Sequence, residues 1–206
     1  MDFSHIDELV FESINHLAIS ISALNPVMQF LSEKAEYLFY LGIILYWFTR
    51  EQKNKKMVIV ALFSACIGFG IGKILSHFFY RDRPFVHHAV NQLIEHAANA
   101  SFPSDHSIGS FVIATAIFLF RKREGIIWLL LAGLISFSRI WNGVHFPSDV
   151  IAGALIGIFT SVLVYQLIRR WSFAQKCLNS CVDFYENIER KIGLRRSKDQ
   201  STHLDQ

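Results

Sequence analysis

The stretch MVIVALFSACIGFGIGKILSHFF, residues 57–79, carries a single lysine, Lys73, in an otherwise apolar run. The hydrocarbon core of a bilayer is about 30 Å thick, and a helix crosses it with about 20 apolar residues. At that depth a single segment can satisfy its own backbone N–H and C=O groups only as a helix. Met57 to Phe79 therefore reads as a membrane-spanning helix. Val27 to Phe48 and Asp149 to Ile168 meet the same length, while Ser107 to Phe120 and Ile126 to Trp141 are shorter but equally dense. Of the 206 residues, 52% are hydrophobic and 18% charged, a balance that excludes an ordinary soluble enzyme. The expected fold class is all-α: a polytopic membrane helical bundle with five to six transmembrane helices. A single integral-membrane domain is expected over residues 1–196.

The ends of the chain read differently. Val27 to Phe48 is weak in its first half, where Glu33, Lys34 and Glu36 lie. Within residues 1–26, Phe3, Ile6, Leu9, Val10, Ile14, Leu17, Ile21 and Leu24 recur at three- and four-residue steps, with Asp7, Glu8, Glu12 and His16 on other faces. That spacing predicts an amphipathic helix, either flat in the membrane interface or forming a sixth, partly polar span. It lacks the basic start and compact apolar centre of a signal peptide. Over residues 171–194, Phe173, Cys177, Cys181, Phe184, Ile188 and Ile192 form a second stripe near Lys176, Arg190 and Lys191, which predicts an amphipathic surface helix. Residues 197–206 have no periodicity and are expected to be disordered. Cys66, Cys177 and Cys181 read as packing residues.

Orientation follows from the cations. Arg50, Lys53, Lys55 and Lys56 share one short loop, Arg121, Lys122 and Arg123 another, and Arg169 and Arg170 begin the tail. Counting spans places all three on one face, and positive loops mark the cytoplasmic side. The connections Tyr80 to Ser107 and Trp141 to Ser148 then face outward.

Polar residues gather at that outer face: Lys73, Arg81 and Arg83 after one helix, Ser104, Asp105 and His106 before the next, and Arg139, His145 and Asp149 around the following loop. Each has a plain structural account. Lys73 can snorkel, Ser104 can be an N-cap, Asp149 can be a first-turn acid, and Arg81 reads mainly as a surface residue. Together they form a functional-site hypothesis, because ionisable groups at membrane depth are costly. Arginines, a lysine, a serine hydroxyl and free amides at a helix start suit a multiply charged oxyanion, most naturally phosphate. Two histidines supply a nucleophile and an acid. His145 and Asp149 are four residues apart, near enough for the carboxylate to hold one ring nitrogen and leave the other free to attack. His106, at a helix start, is placed to protonate a leaving oxygen.

The segments RPF (83–85), PSDH (103–106) and SRIWNGVHFPSD (138–149) resemble the three signature motifs of the type 2 phosphatidic acid phosphatase superfamily. Closer still, RPFVHHAVNQLIEHAANASFPSDHS and SFSRIWNGVHFPSDV resemble the bacitracin-resistance type of undecaprenyl pyrophosphate phosphatase. The resemblance implies a multi-pass protein of the bacterial cell (inner) membrane with its active site facing outside or the periplasm. There it would remove the terminal phosphate of the lipid carrier of peptidoglycan synthesis. By resemblance, His145 is the nucleophile that forms a phosphohistidine, Asp149 orients it, and His106 is the general acid and later the base. Arg83, Ser104 and Arg139 bind phosphate with amides near Asp105 and His106. No cofactor and no metal are implied; a zinc reading of His87, His88, His96 and His106 matches no familiar ligand spacing. The expected partners are the polyprenyl pyrophosphate substrate and membrane lipid, with no nucleic acid.

Two positions depart from the family pattern. The usual lysine stands six residues before RP, where this chain has Ser76; Lys73 lies one helical turn earlier and still has the reach to touch phosphate if the helix continues. Asp105 replaces the usual glycine, and its carboxylate is expected to turn away from phosphate toward Arg81. Alternatives remain a phosphatidylglycerol phosphate or phosphatidic acid phosphatase and, in another class, a non-catalytic anion-binding transporter. Segment 86–100, VHHAVNQLIEHAANA, is either a lid or a packed connector.

Overall fold

The computed structural model describes residues 3–49 and 51–191, so Arg50, Ile192 and the expected tail 197–206 lie outside the described residues. Among the described residues every regular element is helical. They are α1 (Phe3–Ser20), a 3₁₀ turn (Ser22–Leu24), α2 (Asn25–Glu33), α3 (Glu36–Trp47), α4 (Gln52–Phe78), α5 (Pro84–His87), α6 (Asp105–Phe120), α7 (Lys122–Trp141), α8 (Pro147–Arg170) and α9 (Ser172–Lys191). The chain divides into two compact units, Met1–Gln166 and Leu167–Gln206.

In the first unit α6 is the central helix. Ile108, Val112, Ala114 and Ala116 have no exposed surface, because α4, α7 and α8 enclose them. Small residues allow this approach. A β-carbon on Gly153 would fall 2.6 Å from the Ser104 carbonyl oxygen, and one on Gly157 would fall 2.8 Å from that of Ile108. Close backbone packing of this kind is how helices associate where lipid removes the hydrophobic drive. Hydroxyls add directional links: Ser161 donates to the Val112 carbonyl at 2.8 Å, and Ser107 and Ser136 share a hydrogen bond of 2.8 Å. The apolar core, including Phe39, Met57, Ile113, Ile117 and Ile135, lies between α3, α4, α6 and α7.

The outer surface is inverted relative to a soluble protein. Phe63, Ile74, Ile127, Leu130, Leu155 and Phe159 are exposed around the bundle, a belt suited to acyl chains. α4, α7 and α8 are long and apolar enough to cross a membrane, while α3 and α6 are shorter apolar helices. The protein is thus a polytopic helical membrane protein. Val27 to Phe48 is not one helix: it breaks at Lys34, where the Lys34 and Ala35 amides both reach the Phe30 carbonyl. The break leaves Glu33 and Lys34 exposed while Ala35 is buried and Glu36 partly so. Arg121 meets Glu51 at 2.9 Å and Glu124 at 2.7 Å, so the loops that start α4 and α7 share one end of the bundle.

α1 turns a mixed polar and apolar face inward. Asp7, Phe11, Asn15 and Ala18 are buried, whereas Ile6, Leu9 and Val10 are exposed. Phe11 packs with Ile140, Phe146 and Val150, and Asn15 donates to the Trp141 and Asn91 carbonyls at 2.9 and 3.0 Å. Ile6, Leu9 and Val10 of the apolar stripe therefore face the surroundings while Ile14 packs inward, and Asp7, assigned to another face, is an internal anchor. In the second unit Phe173, Cys177, Cys181, Phe184 and Ile188 are likewise exposed along α9.

Candidate active site

The connection between α4 and α6 is irregular yet anchored along its length. The Asn91 amide donates to Asn15 Oδ1 at 2.8 Å, Gln29 donates to the Leu93 carbonyl at 2.8 Å, and the Ser101 amide donates to the Arg81 carbonyl at 2.8 Å. Segment 86–100 is thus a packed connector in this conformation. Opposite it, Gly143 adopts φ +76° in the α7–α8 loop, a left-handed conformation that L side chains rarely adopt. This turn carries the chain from Arg139 back to His145.

His145 is buried, and its two nitrogens face different groups. Nε2 lies 2.9 Å from Arg83 Nη1; a guanidinium only donates, so Nε2 carries the lone pair and Nδ1 the proton. Nδ1 faces Ser101 Oγ at 3.3 Å and Asp149 Oδ2 at 3.5 Å. Ser101 in turn donates to that same carboxylate oxygen at 2.5 Å, and the Phe146 amide adds a bond of 2.8 Å. The histidine–carboxylate pair expected from the four-residue spacing is therefore bridged by a buried hydroxyl. Burial, with the Arg139 and Arg83 charges nearby, pushes the His145 imidazole well below its usual pKa. It is a neutral base with one nitrogen lone pair directed at an arginine.

Arg83 is itself fixed on several sides. Nε donates to Asn99 Oδ1 at 2.9 Å, Nη1 to the Val144 carbonyl at 2.9 Å and Nη2 to the Ala100 carbonyl at 3.3 Å. Arg139, on the last turn of α7, is held through Nη1 by the Ser32 carbonyl at 3.1 Å and hydroxyl at 2.9 Å. Its Nε and Nη2 are buried with no partner, as is the hydroxyl of Ser104. Ser104 occupies the N-cap position of α6, yet its side chain makes no cap hydrogen bond. Unpaired buried donors are costly in a core and suit a site built for an oxyanion.

The remaining expected residues fall in different places. His106, in the first turn of α6, has Nε2 3.3 Å from Glu36 Oε2. Lys73 lies outside the arginine–histidine group: it is exposed and lines a cavity of ≈ 340 Å³ with Ser76, Ala100, Pro103 and Asp105. Asp105 is exposed, lines that cavity and faces the Arg83 charge rather than Arg81. Arg81 instead meets Asp7 at 2.7 Å and Ser148 at 2.8 Å, lies 3.6 Å from Asp149 Oδ1, and stacks over the Phe146 ring at 3.6 Å. The surface reading of Arg81 is thereby corrected; the buried Asp7 carboxylate holds it against the loop. Of the histidines in the zinc alternative, His87 pairs with Asp82 at 2.9 Å and His88 contacts Phe146, so they do not converge with His106.

Sequence reasoning passed over Ser101, Asn99, Asp7 and Glu36. Ser101 stands two residues before the PSDH motif, but its role depends on a fold that brings it to a residue 48 positions away. Asp7 accepts bonds from the Ser148 amide and hydroxyl at 2.8 and 2.6 Å, and nothing in its own segment signals this.

Fold and site together define a class: a helical membrane protein with a buried histidine set between an arginine and a hydroxyl–carboxylate pair. The chain belongs to the PAP2 superfamily, whose family profile matches residues 57–173. It is 41% identical to "Bacitracin transport permease protein BcrC" of Bacillus licheniformis, over 99% of this chain and 100% of that one. It is 34% identical to "Undecaprenyl-diphosphatase BcrC" of Bacillus subtilis, over 93% and 97% of the two chains. Among solved structures, Aquifex aeolicus LpxE superposes with a TM-score of 0.67 at 29% identity, covering 76% of this chain and 93% of that one.

Proposed function

We propose that this protein is an undecaprenyl-diphosphate phosphatase that works through a phosphohistidine at the outer membrane face. Its similarity over nearly the whole chain to an undecaprenyl-diphosphatase supports the substrate. The observation that carries the chemistry is the His145 environment, with a lone pair on Nε2, a hydroxyl–carboxylate brace on Nδ1, and unpaired Arg139 and Ser104 donors close by.

On binding, the terminal phosphate draws the Arg83 guanidinium onto its oxygens and uncovers Nε2. The lone pair attacks phosphorus, a P–N bond forms, and the P–O bond to the bridging oxygen breaks with its electrons leaving on the lipid monophosphate. Ser101 and Asp149 stabilise the positive imidazole at Nδ1. His106 gives a proton to the departing oxygen where one is needed; a phosphate monoester with a second pKa of about 6 needs it less than an alkoxide. Water then loses a proton to His106, its oxygen bonds phosphorus, and the P–N electrons return to Nε2 as phosphate leaves. Arg139, Ser104 and Arg83 hold the charge throughout. Asp105 and Lys73 border the adjacent cavity; the Lys73 ammonium attracts anionic lipid there, and neither residue contacts the transferred phosphorus.

The outer-face assignment rests on the cation-rich loops at the opposite end of the first unit, which mark the cytoplasmic side. The test is phosphate release by detergent-purified protein from undecaprenyl pyrophosphate and from phosphatidylglycerol phosphate, with EDTA present and His145→Ala as control. Release favouring the pyrophosphate and lost in the variant is expected. Release that survives in His145→Ala overturns the mechanism, and a preference for the glycerolipid moves the protein to the sister activity. The Bacillus licheniformis relative, named a bacitracin transport permease protein, favours one further reading, transport without turnover; binding with no phosphate release would establish it.

A further inference from the structure

Glu36 is an acid within the bundle that the mechanism above leaves unused. It follows directly on the break between α2 and α3, which leaves Glu33 and Lys34 exposed while Glu36 is partly buried. Its carboxylate lies 3.3 Å from His106 Nε2. Both line one cavity of ≈ 180 Å³ with Asp105 at its polar end and Phe39, Tyr40, Phe69 and Ile113 on its apolar walls. A first-turn acid can serve the helix dipole alone, but this one also stands beside the second histidine.

We infer that Glu36 is the positioning residue for His106: it holds Nε2–H and stabilises the imidazolium, so that Nδ1 is the atom that gives and takes the proton. This deepens the phosphatase reading and rests on it. The groups facing His106 explain the need. Burial, Arg139 from α7 and Arg83 from the α4–α6 connection oppose a positive charge there, and His96 of that connection and His145 of the α7–α8 loop face it as well. Asp149 on α8 is committed to Ser101 and the Phe146 amide, Lys73 on α4 lines the neighbouring cavity, and Asp105 belongs to both cavities. Glu36 is thus the carboxylate in direct contact with His106. With Nε2–H accepted by Glu36, the proton leaves from Nδ1 to the departing oxygen and the neutral ring keeps Nε2–H. In the second half-reaction, Nδ1 takes a proton from water, the oxygen bonds phosphorus, and the imidazolium is restored. The two histidines then each have an acid braced behind them, Asp149 through Ser101 for His145 and Glu36 directly for His106.

The test compares wild type, Glu36→Gln and Glu36→Asp in detergent micelles, reading pH–rate profiles on undecaprenyl pyrophosphate and phosphatidic acid and the amount of phosphoenzyme trapped in alkaline denaturant from ³²P-labelled pyrophosphate lipid. Glu36→Gln keeps shape but not charge. It is expected to lower kcat on the monoester by about 10²-fold, within the range of general acid catalysis, and less on the diphosphate, with little change in KM. The alkaline limb should move to lower pH, because removing the negative charge lets His106 lose its proton sooner. Phosphoenzyme should accumulate as water activation slows, and Glu36→Asp should recover part of each loss. A Glu36→Gln enzyme with wild-type kcat, pH limb and phosphoenzyme level overturns the inference, as does a loss in which Glu36→Asp recovers nothing. Phosphate release without labelled enzyme in any variant, or release that persists in His145→Ala, overturns the phosphohistidine reading instead.

Discussion

Replacing Ser101 by alanine tests the brace behind the nucleophile. In the folded chain His145 Nδ1 lies 3.5 Å from Asp149 Oδ2, beyond a good hydrogen bond, and Ser101 Oγ closes the gap with contacts of 3.3 and 2.5 Å. Removing the hydroxyl leaves Asp149 Oδ2 with the Phe146 amide alone and strips Nδ1 of its hydroxyl partner. Direct pairing would need the ring to move about half an ångström toward Asp149, against the Arg83 contact on Nε2. A hydrogen bond to a charged group contributes about 1.5–3 kcal/mol, and that contribution is needed most when the imidazole becomes positive. At about 1.4 kcal/mol per tenfold, kcat should fall by about 10- to 100-fold with KM nearly unchanged. The assay is phosphate release from undecaprenyl pyrophosphate in detergent, alongside a thermal melt to confirm that the variant is folded. A folded Ser101→Ala enzyme within about threefold of wild-type kcat would refute the bridging role, since the carboxylate would then be reaching His145 unaided.

Further outcomes follow from particular contacts. Gly153→Ala places a β-carbon 2.6 Å from the Ser104 carbonyl oxygen and should cost about 1–3 kcal/mol, read as a lower Tm; Gly133→Ala, with nothing within 4 Å, should be neutral or slightly stabilising. Asp7→Asn removes the charge that Arg81 meets and weakens its hold on the start of α8, so about 1–2 kcal/mol of stability should be lost, with a fall in kcat from the slackened loop; an unchanged melting curve would contradict the anchoring role. His106→Ala should lose less activity on a diphosphate lipid than on a monophosphate lipid, whereas His145→Ala should abolish both; equal losses for His106→Ala would sink the leaving-group argument. Stability should also depend on pH through His145. Its folded pKa lies well below 6.5, so on acidification below that value the unfolded chain takes up a proton that the folded chain refuses. Stability is therefore present above about pH 6.5 and lost as pH falls, and the decline in Tm toward pH 5 should be shallower in His145→Gln.

Much of this site is legible in one dimension because its chemistry is local. Arg83 beside Pro84, Ser104 and His106 at a helix start, and the His145 to Asp149 step all occur within short motifs, and residue type with spacing carries their meaning. The helix count was less secure. Glu33, Lys34 and Glu36 signalled a flaw in the Val27 to Phe48 segment, but a flawed span and two helices joined at Lys34 have the same composition. The N-terminal stripe was correctly periodic, yet periodicity alone does not say which face is inside when the surroundings are lipid.

The sequence by itself determined that the chain is a helical membrane bundle and picked out the histidines, arginines and acid of the proposed phosphate site, because span length and motif spacing depend on neighbours along the chain. Only the tertiary structure decided that Ser101 stands between His145 and Asp149, that Arg81 answers to Asp7, and that Glu36 lies against His106. Those pairings join residues 44 or more positions apart, in contacts of a few ångströms that close helix packing across α6 sets and no local propensity encodes.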